Sequence, residues 1–387
     1  MILRYDYGMR KTLKYRIYPT KAQTTTLLKQ LDECRWLYNH LLEQRKVAFD
    51  ERGEALSLYA QQATFNALKD ERPNLKQVHS QVLQNVAVRI DLGMKAFFRR
   101  VKAGEEPGYP RFRGKGRYNS ICYPQYGNGA KLTGNVLYLS KIGNVEVVLH
   151  RPLEGTPKTV CISVSSTGKW YVTISCDVSN PEPLPVSPEQ VGIDVGLKEF
   201  AVFSDGRVIA NPRFFRVDEK QLAKVSRKLS KQTKGTPARR KARKPVARVH
   251  ERIAWRRGDF AHQNSRRIVN QYQVIAVEDI HVNRMLHNHC LAKSISDVAW
   301  SQFGSLLTYK AAWAGRQFVA VYPAYTSQTC SSCGHRQPLP LDVRVYHCPC
   351  CDVTLDRDHN AALNILALGL QRLGIQPVEA PQFIAGE

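Results

Sequence analysis

Five of the ten cysteines in this 387-residue chain crowd into 22 positions: Cys330, Cys333, Cys348, Cys350 and Cys351. Cys330-Ser-Ser-Cys333, 14 intervening residues and Cys348-Pro-Cys-Cys351 form two Cys-x-x-Cys knuckles. Facing each other, the knuckles supply four thiolates, the tetrahedral shell that structural zinc prefers. The segment has few apolar residues to fold around, so metal binding has to supply its folding energy. Four thiolates leave no open coordination position, which makes one Zn²⁺ here structural rather than catalytic. Cys350, His335 and His347 are alternative ligands, and Asp352 stands where such a knuckle commonly has glycine. Cys34, Cys122, Cys161, Cys176 and Cys290 sit among apolar neighbours and read as free thiols buried as small hydrophobes.

Charge constrains the partners. Lys and Arg number 57 against 33 Asp and Glu, a formal charge of +24 that repels itself unless something anionic lies against it. Nucleic acid and an anionic membrane surface are the candidates. No run of 18 apolar residues is present to span a bilayer. The first residues lack the apolar core and cleavage site of a signal peptide, so an intracellular protein is expected. The stretch 220–257 holds 15 Lys or Arg, among them Arg239, Arg240, Lys241, Arg243 and Lys244, and a single acid, Glu251. Ion pairs within a helix cannot neutralise it, and phosphate contact explains it better than a solvated face. A second patch, 111–118, interleaves Arg111, Arg113, Lys115 and Arg117 with Phe112 and Tyr118. Those rings either stack on unpaired bases or pin the loop to a sheet.

Periodicity gives the organisation. Residues 11–19 alternate as a strand. Leu27, Leu31, Cys34, Tyr38 and Leu41 mark one helix face, and Leu83, Val86, Ile90, Met94, Phe97 and Val101 mark another. Segments 136–139, 145–149, 160–165 and 170–176 are short, β-branched and separated by turn signals, as in a small antiparallel sheet or barrel. The first strand is expected to complete it, with the helical block inserted. Pro181, Pro183, Pro185 and Pro188 mark an extended linker and a domain boundary. Beyond it, 191–203 reads as strand, turn and strand, followed by a long basic helical region and a buried strand at 274–277. A helix at 294–315 carries Trp300, Phe303, Leu307 and Ala311 on one face, and 360–370 is a closing helix.

Three carboxylates stand at the ends of such elements. Asp194 lies within Val191-Gly-Ile-Asp-Val-Gly196, where glycines allow close backbone approach; Glu278 ends a buried strand; Asp358 sits ahead of a helix. An acid in or just beyond an apolar strand is costly to bury unless metal or hydrogen bonds compensate. Three on neighbouring elements could hold two Mg²⁺ about 4 Å apart and hydrolyse a phosphodiester. Asp279 and Asp356 compete for the same roles, Asp358 could be a helix cap, and Glu278 could form a structural ion pair.

Taken in order, Val-Gly-Ile-Asp194-Val-Gly-Leu-Lys, Val-Glu278-Asp-Ile, Leu291-Ala-Lys-Ser-Ile-Ser-Asp-Val-Ala-Trp300, Ser327-Gln-Thr-Cys-Ser-Ser-Cys-Gly334 and Asp356-Arg-Asp-His-Asn-Ala-Ala-Leu-Asn-Ile365 resemble the TnpB family of transposon-encoded RNA-guided DNA endonucleases. Pro110-Arg-Phe-Arg113 and the region 84–102 extend the likeness. The resemblance implies a bilobed α/β protein with β-barrel and helical parts. A wedge-type β-barrel (1–20 and 108–180) would carry an inserted helical recognition domain (21–107). After a linker (181–190), an RNase H-like, RuvC-like nuclease (191–327 and 354–374) would carry an inserted zinc ribbon (328–353), and 375–387 would be a loosely ordered tail. The family's catalytic triad would map onto Asp194, Glu278 and Asp358, holding two Mg²⁺. The implied partners are a guide RNA transcribed from the transposon end and double-stranded DNA beside a short target-adjacent motif, with no membrane. Gln84 and Ser80 fall in the region that would read that motif. A monomer in a prokaryotic cytoplasm, associated with the nucleoid, is expected. A nuclease-silent RNA-guided repressor and a zinc-ribbon RNA-binding or RNA-processing protein are the alternatives.

Overall fold

The computed structural model describes residues 9–340 and 342–375, and the expected tail at 375–387 lies outside them but for Ile375. The chain divides after Asn180 into two compact units.

The first unit begins with β1 (Met9–Tyr18), whose alternation buries Leu13, Tyr15 and Ile17. Thr20 then caps α1 (Lys21–Arg52) in a reciprocal box with Gln23, and left-handed Gly53 ends it. After α2 (Leu58–Ala63) and α3 (Phe65–Glu71) comes α4 (Ser80–Lys102). Leu27, Leu31, Cys34, Tyr38 and Leu41 of α1 share one core with Leu83, Val86 and Ile90 of α4. The expected α4 stripe weakens towards its C-terminal end, where Val101 is exposed.

Six further strands follow: β2 (Ser120–Tyr123), β3 (Ala130–Thr133), β4 (Val136–Leu139), β5 (Gly143–Val148), β6 (Thr156–Val164) and β7 (Trp170–Val178). They join β1 in a seven-stranded antiparallel sheet of order β2-β6-β7-β1-β5-β4-β3. β1 is therefore central, pairing β7 along Met9–Ile17 and β5 at its end. Three of the five scattered cysteines depart from expectation. Cys122 and Cys161 lie opposite each other across β2 and β6 and form a disulfide, because antiparallel register places two residues 39 apart in sequence side by side. Cys290, expected to be buried, is exposed.

In the second unit the proline-rich segment is held down. The buried Arg316 donates to the Pro185 carbonyl at 2.8 Å, and Ser187 Oγ donates to that of Gln271 at 2.7 Å. Then come β8 (Gln190–Val195), β9 (Glu199–Phe203) and β10 (Val208–Ala210). The basic region is two helices, α5 (Phe214–Ser230) and α6 (Pro237–Gln271). β11 (Val274–Glu278), apolar from Val274 to Val277, precedes α7 (Val282–Met285). In place of one helix at 294–315, α8 (Ala292–Val298) and α9 (Trp300–Trp313) meet at left-handed Ala299, and Trp300, Phe303, Leu307 and Ala311 are buried on α9. β12 (Gln317–Val321), the hairpin β13 (Val345–His347) with β14 (Thr354–Asp356), and α10 (Arg357–Leu373) complete the unit.

The main sheet has order β10-β9-β8-β11-β12, with β8, β11 and β12 parallel. Its two faces separate by alternation. Val191, Ile193, Ile275 and Val277 pack with the α6 and α9 residues Ile268, Val269, Phe303 and Leu307. Ala276 packs instead with Ile365 of α10. That second face carries Gly192, and two residues further along β8 it carries Asp194.

Candidate metal centres and nucleic-acid interface

The four sulfurs of Cys330, Cys333, Cys348 and Cys351 lie within 4.8 Å of one another. The Cys330–Cys351 and Cys333–Cys348 pairs are each separated by 3.6 Å. Zn–S bonds of about 2.3 Å in a tetrahedron require sulfur–sulfur edges of about 3.8 Å, so this set fits zinc. Cys350, His335 and His347 have no ligand atom in this grouping, and the His347 ring bonds Thr354 Oγ1 at 3.0 Å. The two knuckles turn alike. Gly334 donates to the Cys330 carbonyl at φ 75°, and Asp352 donates to that of Cys348 at φ 61°. Glycine is common there because the turn is left-handed, a region aspartate tolerates better than most residues.

The acids meet on the α10 face of the sheet. Parallel register pairs Val277 with Ile193, and one further step sets Glu278 beside Asp194. The two carboxyl groups act on each other: Asp194 raises the pKa of Glu278, and Glu278 lowers that of Asp194. Burial is the largest cause raising both pKa values. It pushes Glu278 up to about 10, reinforced by Asp194 and by the charge of Asp358. Asp358 raises Asp194 as well. Asp356, its rival in sequence, is the N-cap of α10, accepting the Asp358 and His359 N–H groups at 2.9 and 3.2 Å. The Asp358 side chain, freed from capping, lies 3.5 Å from Arg357 Nε and 3.8 Å from Arg344 Nη1. Asp279 is exposed and gives its N–H to the Val321 carbonyl. Two half-buried carboxyl groups raised by desolvation and a third carboxylate beside them ionise together more readily when a cation compensates, which fits a divalent ion.

Residues without charge set this geometry. A Cβ on Gly192 would lie 2.1 Å from the Ala362 carbonyl and 2.6 Å from the Leu366 nitrogen, and one on Gly369 would lie 2.5 Å from Ala276 Cβ. Only glycine lets α10 rest this closely on the strands. Ser204 bonds Gly192 through both backbone and Oγ, and its carbonyl lies 3.1 Å from His359 Nε2. The glycine-flanked Asp194 motif signals Gly192 in the sequence; nothing local signals Gly369, Ser204 or His359.

Not all the cations face solvent. Arg239 donates to the carbonyls of Leu229 and Gln232 at 3.0 and 2.6 Å, closing the turn between α5 and α6. Arg256 pairs with buried Asp218 at 3.2 Å, and Arg257 with buried Asp297 at 2.6 Å. Arg240, Lys241, Arg243 and Lys244 are exposed, as are Arg111, Arg113, Lys115, Arg117, Gln84 and Ser80. Of the interleaved rings, Tyr118 is pinned by Arg89 at 3.1 Å while Phe112 stands exposed.

Comparison with known proteins supplies the family. Residues 300–365 match the model described as "Cas12f1-like, TNB domain" and 173–289 that of "Probable transposase". Residues 9–54, here β1 and α1, match a "Helix-turn-helix domain". A Streptomyces pristinaespiralis protein named "Putative RNA-guided DNA endonuclease" is 37% identical, covering 94% of this chain and 90% of that protein. The chain belongs to the TnpB family. Escherichia coli InsQ, which carries the same description, is 30% identical over 93% of this TnpB-family chain and 92% of its own length. Its fold resembles that of Cas12f1 in a complex with guide RNA and target DNA, with TM-score 0.57 and 15% identity over 92% of this chain and 98% of the other. Among the described residues no helix is long and apolar enough to cross a membrane.

Proposed function

We propose that this chain is the RNA-guided DNA endonuclease of a transposable element, cleaving double-stranded DNA beside a short target-adjacent motif. The observation that carries the reading is the parallel register that sets the half-buried carboxyl groups of Asp194 and Glu278 side by side, with Asp358 at the start of α10. Among the described residues neither Asp194 nor Glu278 forms a salt bridge, and a hydrolytic metal centre accounts for their placement. Asp194, Glu278 and Asp358 would hold Mg²⁺, two ions being expected, and Glu278 would release its proton as they do so. What bound Mg²⁺ supplies is a water nucleophile at neutral pH and charge stabilisation at the departing oxygen. Arg344 and Arg357 lie beside Asp358, 3.8 and 3.5 Å from its carboxylate oxygens.

In this reading 191–327 and 354–374 make up a RuvC-like nuclease, and Cys330, Cys333, Cys348 and Cys351 hold one structural Zn²⁺ in the ribbon at 328–353. Residues 1–20 and 108–180 form the wedge barrel around the recognition helices of 21–107. Arg240, Lys241, Arg243 and Lys244 join Arg111, Arg113, Lys115 and Arg117 on nucleic-acid backbone, with Gln84 near the adjacent motif. The guide RNA derives from the transposon end, and the particle is a monomer in the prokaryotic nucleoid. Pairing with the guide reads sequence, and the protein reads backbone and duplex shape. The test is alanine replacement of each acid in the purified ribonucleoprotein. Each variant is expected to bind matched DNA and lose cleavage by orders of magnitude, with Asp279→Ala close to wild type. Wild-type cutting by all three would remove the triad assignment, and binding without any cutting by wild type would make the protein a repressor.

A further inference from the structure

A cavity of about 430 Å³ opens in the first unit between α4 and the 108–120 segment, a size typical of small-ligand sites. Arg89 and Arg100 of α4 and Arg113 and Arg117 of the loop line it, together with the rings of Tyr38 and Tyr118. No carboxylate lines it, and among the described residues none of the four guanidinium groups forms a salt bridge. Elsewhere in this unit buried Arg45 is paired with Asp91 and half-buried Arg72 with Glu33.

The four are not equivalent. Arg89 is committed to the wall, donating to the Ser120 carbonyl at 2.8 Å and to the Tyr118 hydroxyl at 3.1 Å. Arg113 lies 5.5 Å from the Tyr38 ring centroid, its backbone N–H held by Asn39 Oδ1 at 2.7 Å. Arg100 Nε is buried without a hydrogen-bond partner. An ionised donor withdrawn from water and left unmatched is a demand for an acceptor. The fixed, half-buried ring of Tyr118, the uncompensated cations and one unmet donor fit a nucleotide, with phosphate on the cations and base or ribose against that ring.

We propose that this cavity seats one unpaired nucleotide of the guide RNA, an assignment that rests on the RNA-guided reading above. The concave shape favours RNA: bases in duplex DNA are stacked and must be extruded at a cost, whereas structured RNA offers splayed nucleotides in loops and bulges. Arg100 and Arg117 contact the phosphate, and Arg89 positions Tyr118.

The test uses the full chain, freed of RNA and re-bound to its own copurified RNA, with a DNA duplex of similar length as the second probe. Arg100→Ala/Arg117→Ala is expected to weaken RNA binding about ten- to a hundredfold. The slope of log Kd against log salt should become shallower by about 0.7–1.4 on RNA, and duplex affinity should fall by less than RNA affinity. Ultraviolet crosslinking is expected to attach RNA to peptides containing Tyr38 or Tyr118. Unchanged RNA affinity and slope, equal losses on the duplex, or crosslinks confined to other peptides would each overturn the proposal. Crosslinking of the wild-type chain keeps it falsifiable should the double variant misfold. Absence of any discrete copurifying RNA, scored first, would overturn the guide reading and this proposal with it.

Discussion

Replacing Gly192 with alanine puts a methyl group where α10 touches β8. The new Cβ would lie 2.1 Å from the Ala362 carbonyl, 2.6 Å from the Leu366 nitrogen and 2.9 Å from Leu366 Cβ. Two of these three atoms are backbone, so no rotamer change relieves the clash. Restoring a 3.4 Å contact to the carbonyl requires α10 to retreat by about 1.3 Å. Overpacking of that kind costs about 1–3 kcal/mol, a minor part of the roughly 5–15 kcal/mol that holds a domain folded. For a unit of this size it lowers Tm by about 2–12 °C. Asp358 begins the helix that moves, and Asp194 stays on the strand, so the acids separate. A misplacement of about 1 Å costs on the order of 10²-fold in rate. Gly192→Ala is therefore expected to stay folded, keep guide and DNA binding, and cut about a hundredfold more slowly or worse. Gly304→Ala is the control: its Cβ meets nothing within 4 Å inside α9, so activity and stability should hold or improve slightly. The assays are single-turnover plasmid cleavage and thermal melting. Wild-type cleavage by Gly192→Ala would refute the argument that close helix–strand contact sets the acid geometry.

Cys333→Ser is expected to lose zinc and melt earlier, whereas Cys350→Ser should keep about one zinc per chain by elemental analysis; zinc-free active wild type would remove the ribbon site. Arg239→Ala should lower Tm, because two carbonyls lose their donor, while Arg243→Ala should leave Tm alone and flatten the salt dependence of binding by about 0.7–0.9. The metal-free protein should lose stability as pH rises. Glu278 folded keeps its proton to about pH 10 against an ordinary 4.5, so the folded chain binds more protons than the unfolded one throughout that window. Melting in chelator is expected to show Tm falling from about pH 6 to about pH 9 and Mg²⁺ opposing the fall; a flat profile contradicts a buried acid pair.

Elements whose burial follows a clean period were legible from sequence. α1 shows Leu27, Leu31, Cys34, Tyr38 and Leu41 at helical spacing, β4 matches its apolar run, and β11 is apolar from Val274 to Val277. Four-residue β2 and β3 were not, since such strands exist only through their partners β6 and β4. The Cys122–Cys161 disulfide depends on the same pairing. The break at Ala299 has no local signal: alanine favours helix, and its left-handed backbone is held by what flanks it, Asp297 bound to Arg257 and to the Phe215 N–H, and Trp300 in the core. Residue chemistry left Asp356 competing with Asp358, and the family resemblance alone chose Asp358. Only the helix start shows that Asp356 caps while Asp358 stays available, because capping depends on where the backbone first turns. The same holds for the basic stretch, in which Arg239 and Arg243 differ only in what lies beside them.

The most direct measurement exchanges the guide segment of the copurified RNA for one matching a different plasmid site and maps the cut. With Mg²⁺ present, the break is expected to move to the new match, beside the same short flanking motif, and to vanish with Asp194→Ala while binding persists. Cutting that stays at the original position, or that continues undiminished without Asp194, would contradict an RNA-guided nuclease centred on these acids.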